Sequence, residues 1–113
     1  GVVHGLAHPL GAYYHQPHGL ICAICLPLAL EFNCPAVGEK YTVLSRLAGG
    51  DIVEAVQNLN RHLGLANRFH GLPLTQKSEI IRQTVTASST ASNPRTVTAA
   101  DVEWFLNRLF GPA

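Results

Sequence analysis

Apolar residues recur along this chain at helical spacing. Ile52, Ala55, Val56, Leu59 and Leu63 lie three or four positions apart, with Glu54, Asn58 and Arg61 between them, as on an amphipathic helix. Val102, Phe105, Leu106 and Leu109 repeat the pattern near the C-terminus, with Trp104 close by. The alternation of a half-buried strand is absent throughout, and no internal repeat occurs. The pattern predicts an all-α fold, an antiparallel array of about six helices.

Local signals place the boundaries. Residues 1–14 read as a buried helix, apolar nearly all round except for its histidines. Gly5 and Gly11 lower its propensity by up to about 1 kcal/mol each and admit a close neighbour. Residues 14–17 form a loop, and Pro17 suits the first position of a second helix over 17–32. That helix is expected to kink near Pro27 and to end at Asn33, Cys34 and Pro35. A third helix covers 36–47, with Tyr41, Leu44 and Leu47 on one side, and Gly49 and Gly50 break it. Asp51 caps the fourth helix and Gly64 closes it as a C′ glycine. Residues 66–74 are loop. Thr75 caps a helix over 76–86, and the small polar stretch 87–95 is loop. Thr98 caps the last helix in a capping-box arrangement with Asp101, and Gly111 and Pro112 end it.

The chain has 113 residues, which suits one helical domain with a modest core. Charged residues are only 13%, against about a quarter in ordinary soluble domains, so one face is expected to dock on something else. The net charge is +1, with no Lys/Arg cluster and no ladder of aromatic residues, which argues against nucleic acid and an anionic membrane as partners. The apolar run 20–30 is too short for a membrane span and is interrupted by Pro27. A basic leader is lacking. The sequence contains no methionine, so it begins after a removed initiator or inside a longer reading frame.

The candidate chemistry is concentrated in residues 1–19. Four of the six histidines lie there: His4, His8, His15 and His18. His4 and His8 are four apart and share one helix face. His18 follows Pro17 at a helix start that can fold back beside His4. Converging imidazoles suit a divalent metal, and hydrogen-bonded core histidines are the competing reading. Spacing does not choose between zinc and iron. Cys22 and Cys25 form a C-x-x-C, but in an apolar helical stretch they read as small hydrophobes. A zinc site from His18, Cys22 and Cys25 is the lesser alternative. With Cys34 the count is odd, which disfavours a disulfide framework and fits a reducing, cytoplasmic compartment. His62 and His70 read as structural or surface residues.

The run G-x-x-H-G-x-A-H-P-L-G-A-x-x-x-x-P-H-G from Gly1 to Gly19, then A-x-x-L-P and Glu31-Phe32-Asn33, resembles the signature of the iron-containing alcohol dehydrogenases. The resemblance is to the branch that includes lactaldehyde reductase (propanediol oxidoreductase). It continues through Gly38-Glu39-Lys40-Tyr41 and returns at Asn93-Pro94-Arg95, Thr98 and Asp101. It covers nearly the whole chain and is looser and shortened around residues 49–52. It implies the helical C-terminal half of a two-domain enzyme (a dehydroquinate synthase-like α domain), whose other half binds NAD(P). It also implies Fe²⁺, or Zn²⁺, with His4 and His18 as two of the metal ligands and His8 as a proton relay. His15 takes no role. The family's other two ligands come from a D-x-x-x-H motif that this sequence lacks, and it has no G-x-G-x-x-G.

Two functions follow from this. In the first, the chain is the metal-binding part of an NAD(P)-dependent alcohol dehydrogenase that reversibly oxidises a small primary alcohol or diol to an aldehyde. The apolar second helix is then expected to wall the site off from water. In the second, the chain is a stand-alone, inactive helical module that forms a homo-oligomer, or binds a partner, through an exposed apolar face.

Overall fold

The computed structural model describes residues 1–111, which contain six helices and no strand. They are α1 (Val2–Tyr14), α2 (His18–Ala48), α3 (Ile52–His62), α4 (Lys77–Thr86), α5 (Ser88–Ala91) and α6 (Ala99–Phe110). The all-α class and the number of helices match the expectation, but the chain is divided differently.

The helices expected over 17–32 and 36–47 are both present, but helical structure runs on through 33–35, so α2 spans 31 residues with a kink at Val37 between its two parts. Pro27 does not break α2. A helical proline leaves the carbonyl four residues back without its donor. Here that carbonyl is Ala23 O, and Asn60 Nδ2 on α3 donates to it at 2.9 Å. The same nitrogen donates to Asn67 Oδ1 at 2.8 Å. Asn60 is therefore buried, whereas Leu59 and Leu63 from the expected apolar stripe are 53% and 60% exposed. The irregularity in α2 falls at Val37 (φ −126°, ψ 23°), not at 33–35. Pro35 removes a helical donor, and the kink follows two residues later. Nearby, Arg95 Nη1 donates to Phe32 O at 2.8 Å. By length and composition α2 could cross a membrane, unlike the run 20–30 taken alone. In this fold one side of it, with Ile21, Ile24, Cys25, Leu28 and Phe32, is buried in the core.

Gly49 ends α2 at φ 79°, with Gly50 N–H bonded to Ser45 O at 3.0 Å and Gly49 N–H to Arg46 O at 3.2 Å. The Asp51 cap is present, accepting from Glu54 N–H at 3.1 Å. Tyr41 donates its hydroxyl to the other oxygen of the same carboxylate, which ties the end of α2 to the start of α3. Gly64 closes α3 as expected, with Leu65 N–H bonded to Asn60 O at 2.7 Å.

The Thr98–Asp101 capping box is formed, and α6 buries Val102, Phe105, Leu106 and Leu109 as its pattern requires. The expected stop includes Pro112, which lies outside the described residues. Thr75 does not cap α4. Gln76 holds that position at φ 54° without a side-chain bond. Thr75 N–H instead donates to the Tyr14 hydroxyl at 2.9 Å, and that hydroxyl donates to Pro73 O at 2.8 Å. The tyrosine thus holds the loop before α4 against the end of α1.

Part of the expected loop 87–95 is helical, as α5. Its formation depends on tertiary packing, since Thr90 is buried against Gly5 of α1. A Cβ on Gly5 would lie 1.9 Å from Thr90 Oγ1. Gly5→Ala is predicted to destabilise the fold by about 1–3 kcal/mol in urea unfolding. The Thr90 hydroxyl is buried without a partner among the described residues. Thr90→Ala is therefore predicted to be neutral or stabilising and to recover most of the loss in the double variant. An equal cost of Gly5→Ala in both backgrounds would contradict this packing.

Candidate metal centre

His15 turns the chain out of α1 in the left-handed region (φ 54°), its N–H bonded to Gly11 O at 3.0 Å. Pro17 then starts α2 from an extended backbone (φ −55°, ψ 135°). This short turn places His18, the first residue of α2, beside the histidine face of α1. The ring centroids of His4 and His18 are 5.4 Å apart, with their planes tilted by 45°. His8, one turn along α1, lies 6.3 Å from His18 in an edge-on arrangement. The structure brings together the three histidines that the resemblance singled out. His15 is exposed, as are His62 and His70.

Two expectations need correction. His4, His8 and His18 are exposed rather than set among apolar side chains, so α2 does not seal them from water in this chain. Cys22 and Cys25 also part company. Cys25 is buried in the core, where burial, with a smaller contribution from Cys22, pushes its thiol up to about 12. It is a neutral packing residue and belongs to no zinc site with His18. Cys22 is half-buried, and its Sγ lies 3.5 Å from His18 Nε2. Burial raises its thiol too. The potential ligand atoms of His4, His18 and Cys22 all lie within 4.8 Å of one another. Of the expected trio His18, Cys22 and Cys25, the structure keeps His18 and Cys22 together, at i, i+4 spacing, and sends Cys25 into the core.

This donor set fits a first-row divalent ion. Imidazoles suit iron and zinc alike, and a thiolate shifts the preference toward zinc. The resemblance would make His4 and His18 two of four ligands of an Fe²⁺ site, with the other two supplied from elsewhere.

The support for this arrangement comes from the other half of the signature. Gly1 offers α1 no side-chain cap. Asn93 supplies it from 91 residues away, its Oδ1 accepting from Val2 N–H at 3.1 Å. The same oxygen accepts from Asn33 Nδ2 at 3.3 Å. Asn93 Nδ2 donates to Asn33 Oδ1 and to Arg95 O, both at 2.7 Å. Arg95 lies over the Phe32 ring, 4.1 Å from its centroid. Glu31-Phe32-Asn33 and Asn93-Pro94-Arg95 are thus two sides of one clasp, a scaffolding role that the sequence reading had not assigned.

Residues 1–110 match the family described as Fe-containing alcohol dehydrogenase, C-terminal. The chain is 34% identical to lactaldehyde reductase of Escherichia coli K12, over 90% of this chain and 30% of that protein. It is 35% identical to NADPH-dependent butanol dehydrogenase of Clostridium saccharobutylicum, over 68% of this chain and 21% of that one. Among solved structures it resembles a 1,3-propanediol oxidoreductase, with a TM-score of 0.89, 25% identity, and coverage of 97% of this chain and 32% of that one. It also resembles an alcohol dehydrogenase from Oenococcus oeni, with a TM-score of 0.87, 27% identity and the same coverage. The chain therefore spans about a third or less of the length of these relatives.

Asn93→Ala is predicted to destabilise the fold by about 1–3 kcal/mol, because it strands Val2 N–H and the Asn33 amide. Thermal unfolding gives the loss, and NMR should place the accompanying shift changes at residues 2–4 and 33. A stability equal to wild type would remove the clasp from this account.

Proposed function

The chain belongs to the Fe-containing alcohol dehydrogenase family, and from that premise we propose that it is the helical, metal-binding part of an NAD(P)-dependent enzyme that interconverts a small primary alcohol or diol and its aldehyde. The observation that carries this reading is the approach of His4 and His18, 5.4 Å between ring centroids, from two different helices. These two residues would hold iron, or zinc, with further ligands and the NAD(P) site supplied from outside these 113 residues. When bound, such an ion supplies Lewis acidity toward an alcohol oxygen, with NAD(P) as hydride acceptor. His8 takes the hydroxyl proton at a ring nitrogen and hands it to water. Its exposure and its place one turn from His4 suit that relay. Val2, Leu6 and Leu10 bury the other side of α1 and hold the histidine face in orientation. The three unpaired cysteines accord with a reducing, cytoplasmic compartment.

A second reading, a stand-alone and inactive module that self-associates, draws on the exposed Leu47, Leu59 and Leu63. A monomer at high concentration in sedimentation experiments would count against it.

His4→Ala and His18→Ala are each predicted to reduce bound metal to background, read by elemental analysis after dialysis. His8→Gln is predicted to keep the metal while slowing alcohol oxidation by about 10²–10⁴-fold in the enzyme that contains this chain. Unchanged metal content in both alanine variants would overturn the proposal.

A further inference from the structure

The geometry points to Cys22 as a third metal ligand, giving this chain by itself a His4–His18–Cys22 site that takes zinc in preference to iron. This rests on the reading of His4 and His18 as ligands and goes beyond it in donor set and metal.

His18 and Cys22 are four apart on α2, so both side chains leave the same face one turn from each other. Sγ lies 3.5 Å from His18 Nε2. On one tetrahedral zinc, with Zn–N of about 2.0–2.1 Å and Zn–S of about 2.3 Å, a nitrogen and a sulfur sit about 3.6 Å apart. The His18–Cys22 pair already has the length of one edge of such a site. His4 reaches the pair from α1, its ligand atom within 4.8 Å of both. Two helices that are packed together and clasped at Asn93 therefore present three donors at spacings a single ion spans, with a fourth position open to water. Cys25, facing the core, has no access to this position. Both His18 and Cys22 are reachable from solvent, so an ion has an entry path.

A thiolate among the donors sets the preference, since sulfur ligands favour zinc over iron(II) and the general affinity order runs the same way. On coordination the Cys22 Sγ–H bond breaks, sulfur keeps the electron pair and binds the ion, and the proton goes to solvent. Binding should release this proton in addition to any lost by the imidazoles.

The test loads the chain with Co²⁺, which reports sulfur ligation by an intense near-ultraviolet charge-transfer band, and measures Zn²⁺ affinity by competition with a chelator. Wild type is expected to show the band. Cys22→Ser and Cys22→Ala should abolish it and weaken zinc by at least about tenfold. Cys34→Ser should change neither, and circular dichroism should confirm that each variant is folded. Loss of Co²⁺ binding in His4→Ala and His18→Ala with no effect of Cys22→Ser would overturn the Cys22 assignment and leave the histidine pair intact. Wild-type Co²⁺ binding in both histidine variants would overturn the proposed function as well. No band in the wild type overturns the inference directly.

Discussion

The arrangement depends on the amide of Asn93. Its oxygen accepts from Val2 N–H and from Asn33, and its nitrogen donates to Asn33 and to Arg95 O. An asparagine amide has two acceptor and two donor positions, and all four are used here. One side chain therefore fixes the first turn of α1, the middle of α2 and the segment that leads into α6. His4 is two residues beyond Val2, so the position of the first candidate ligand follows from this clasp. The second candidate, His18, is set by the His15–Pro17 turn. The histidine edge is the place where these two constraints meet.

The prolines illustrate how distant residues maintain a helix that its own sequence interrupts. Pro27 leaves Ala23 O without its helical donor, and the buried Asn60 supplies one. That bond also docks α3 onto α2, so a local defect becomes a specific contact between helices. Near Pro35, Arg95 occupies Phe32 O and covers the Phe32 ring. The compensation at Pro27 comes from a residue far along the chain, which local reading cannot see, and so the first part of α2 runs on past 33–35 to the kink at Val37.

The features that could be read from sequence were those decided within one turn of helix. The Thr98–Asp101 box, the Asp51 cap, the Gly49 and Gly64 closures and the stripe of α6 all formed as expected. The His4–His8–His18 edge was legible too, because helical spacing and a proline at a helix start are local facts. What failed required knowledge of neighbours. Leu59 and Leu63 make a clear stripe, yet they stay exposed among the described residues, while Asn60 beside them is buried for its hydrogen bonds. The α5 turn exists because Thr90 fits over Gly5, which no propensity reveals. Apolar neighbours in sequence suggested a sealed site, but the histidines face outward, as polar rings do unless buried partners satisfy them.

The proposed function stands on an ion held by His4 and His18 at the juxtaposed starts of α1 and α2. The most direct measurement is an anomalous-difference map from crystals of the chain grown with zinc, with data collected at the zinc edge. One dominant peak is predicted between His4 and His18, within bonding distance of both rings. A map whose peaks all lie elsewhere, at Cys34 or His62 for example, would contradict it.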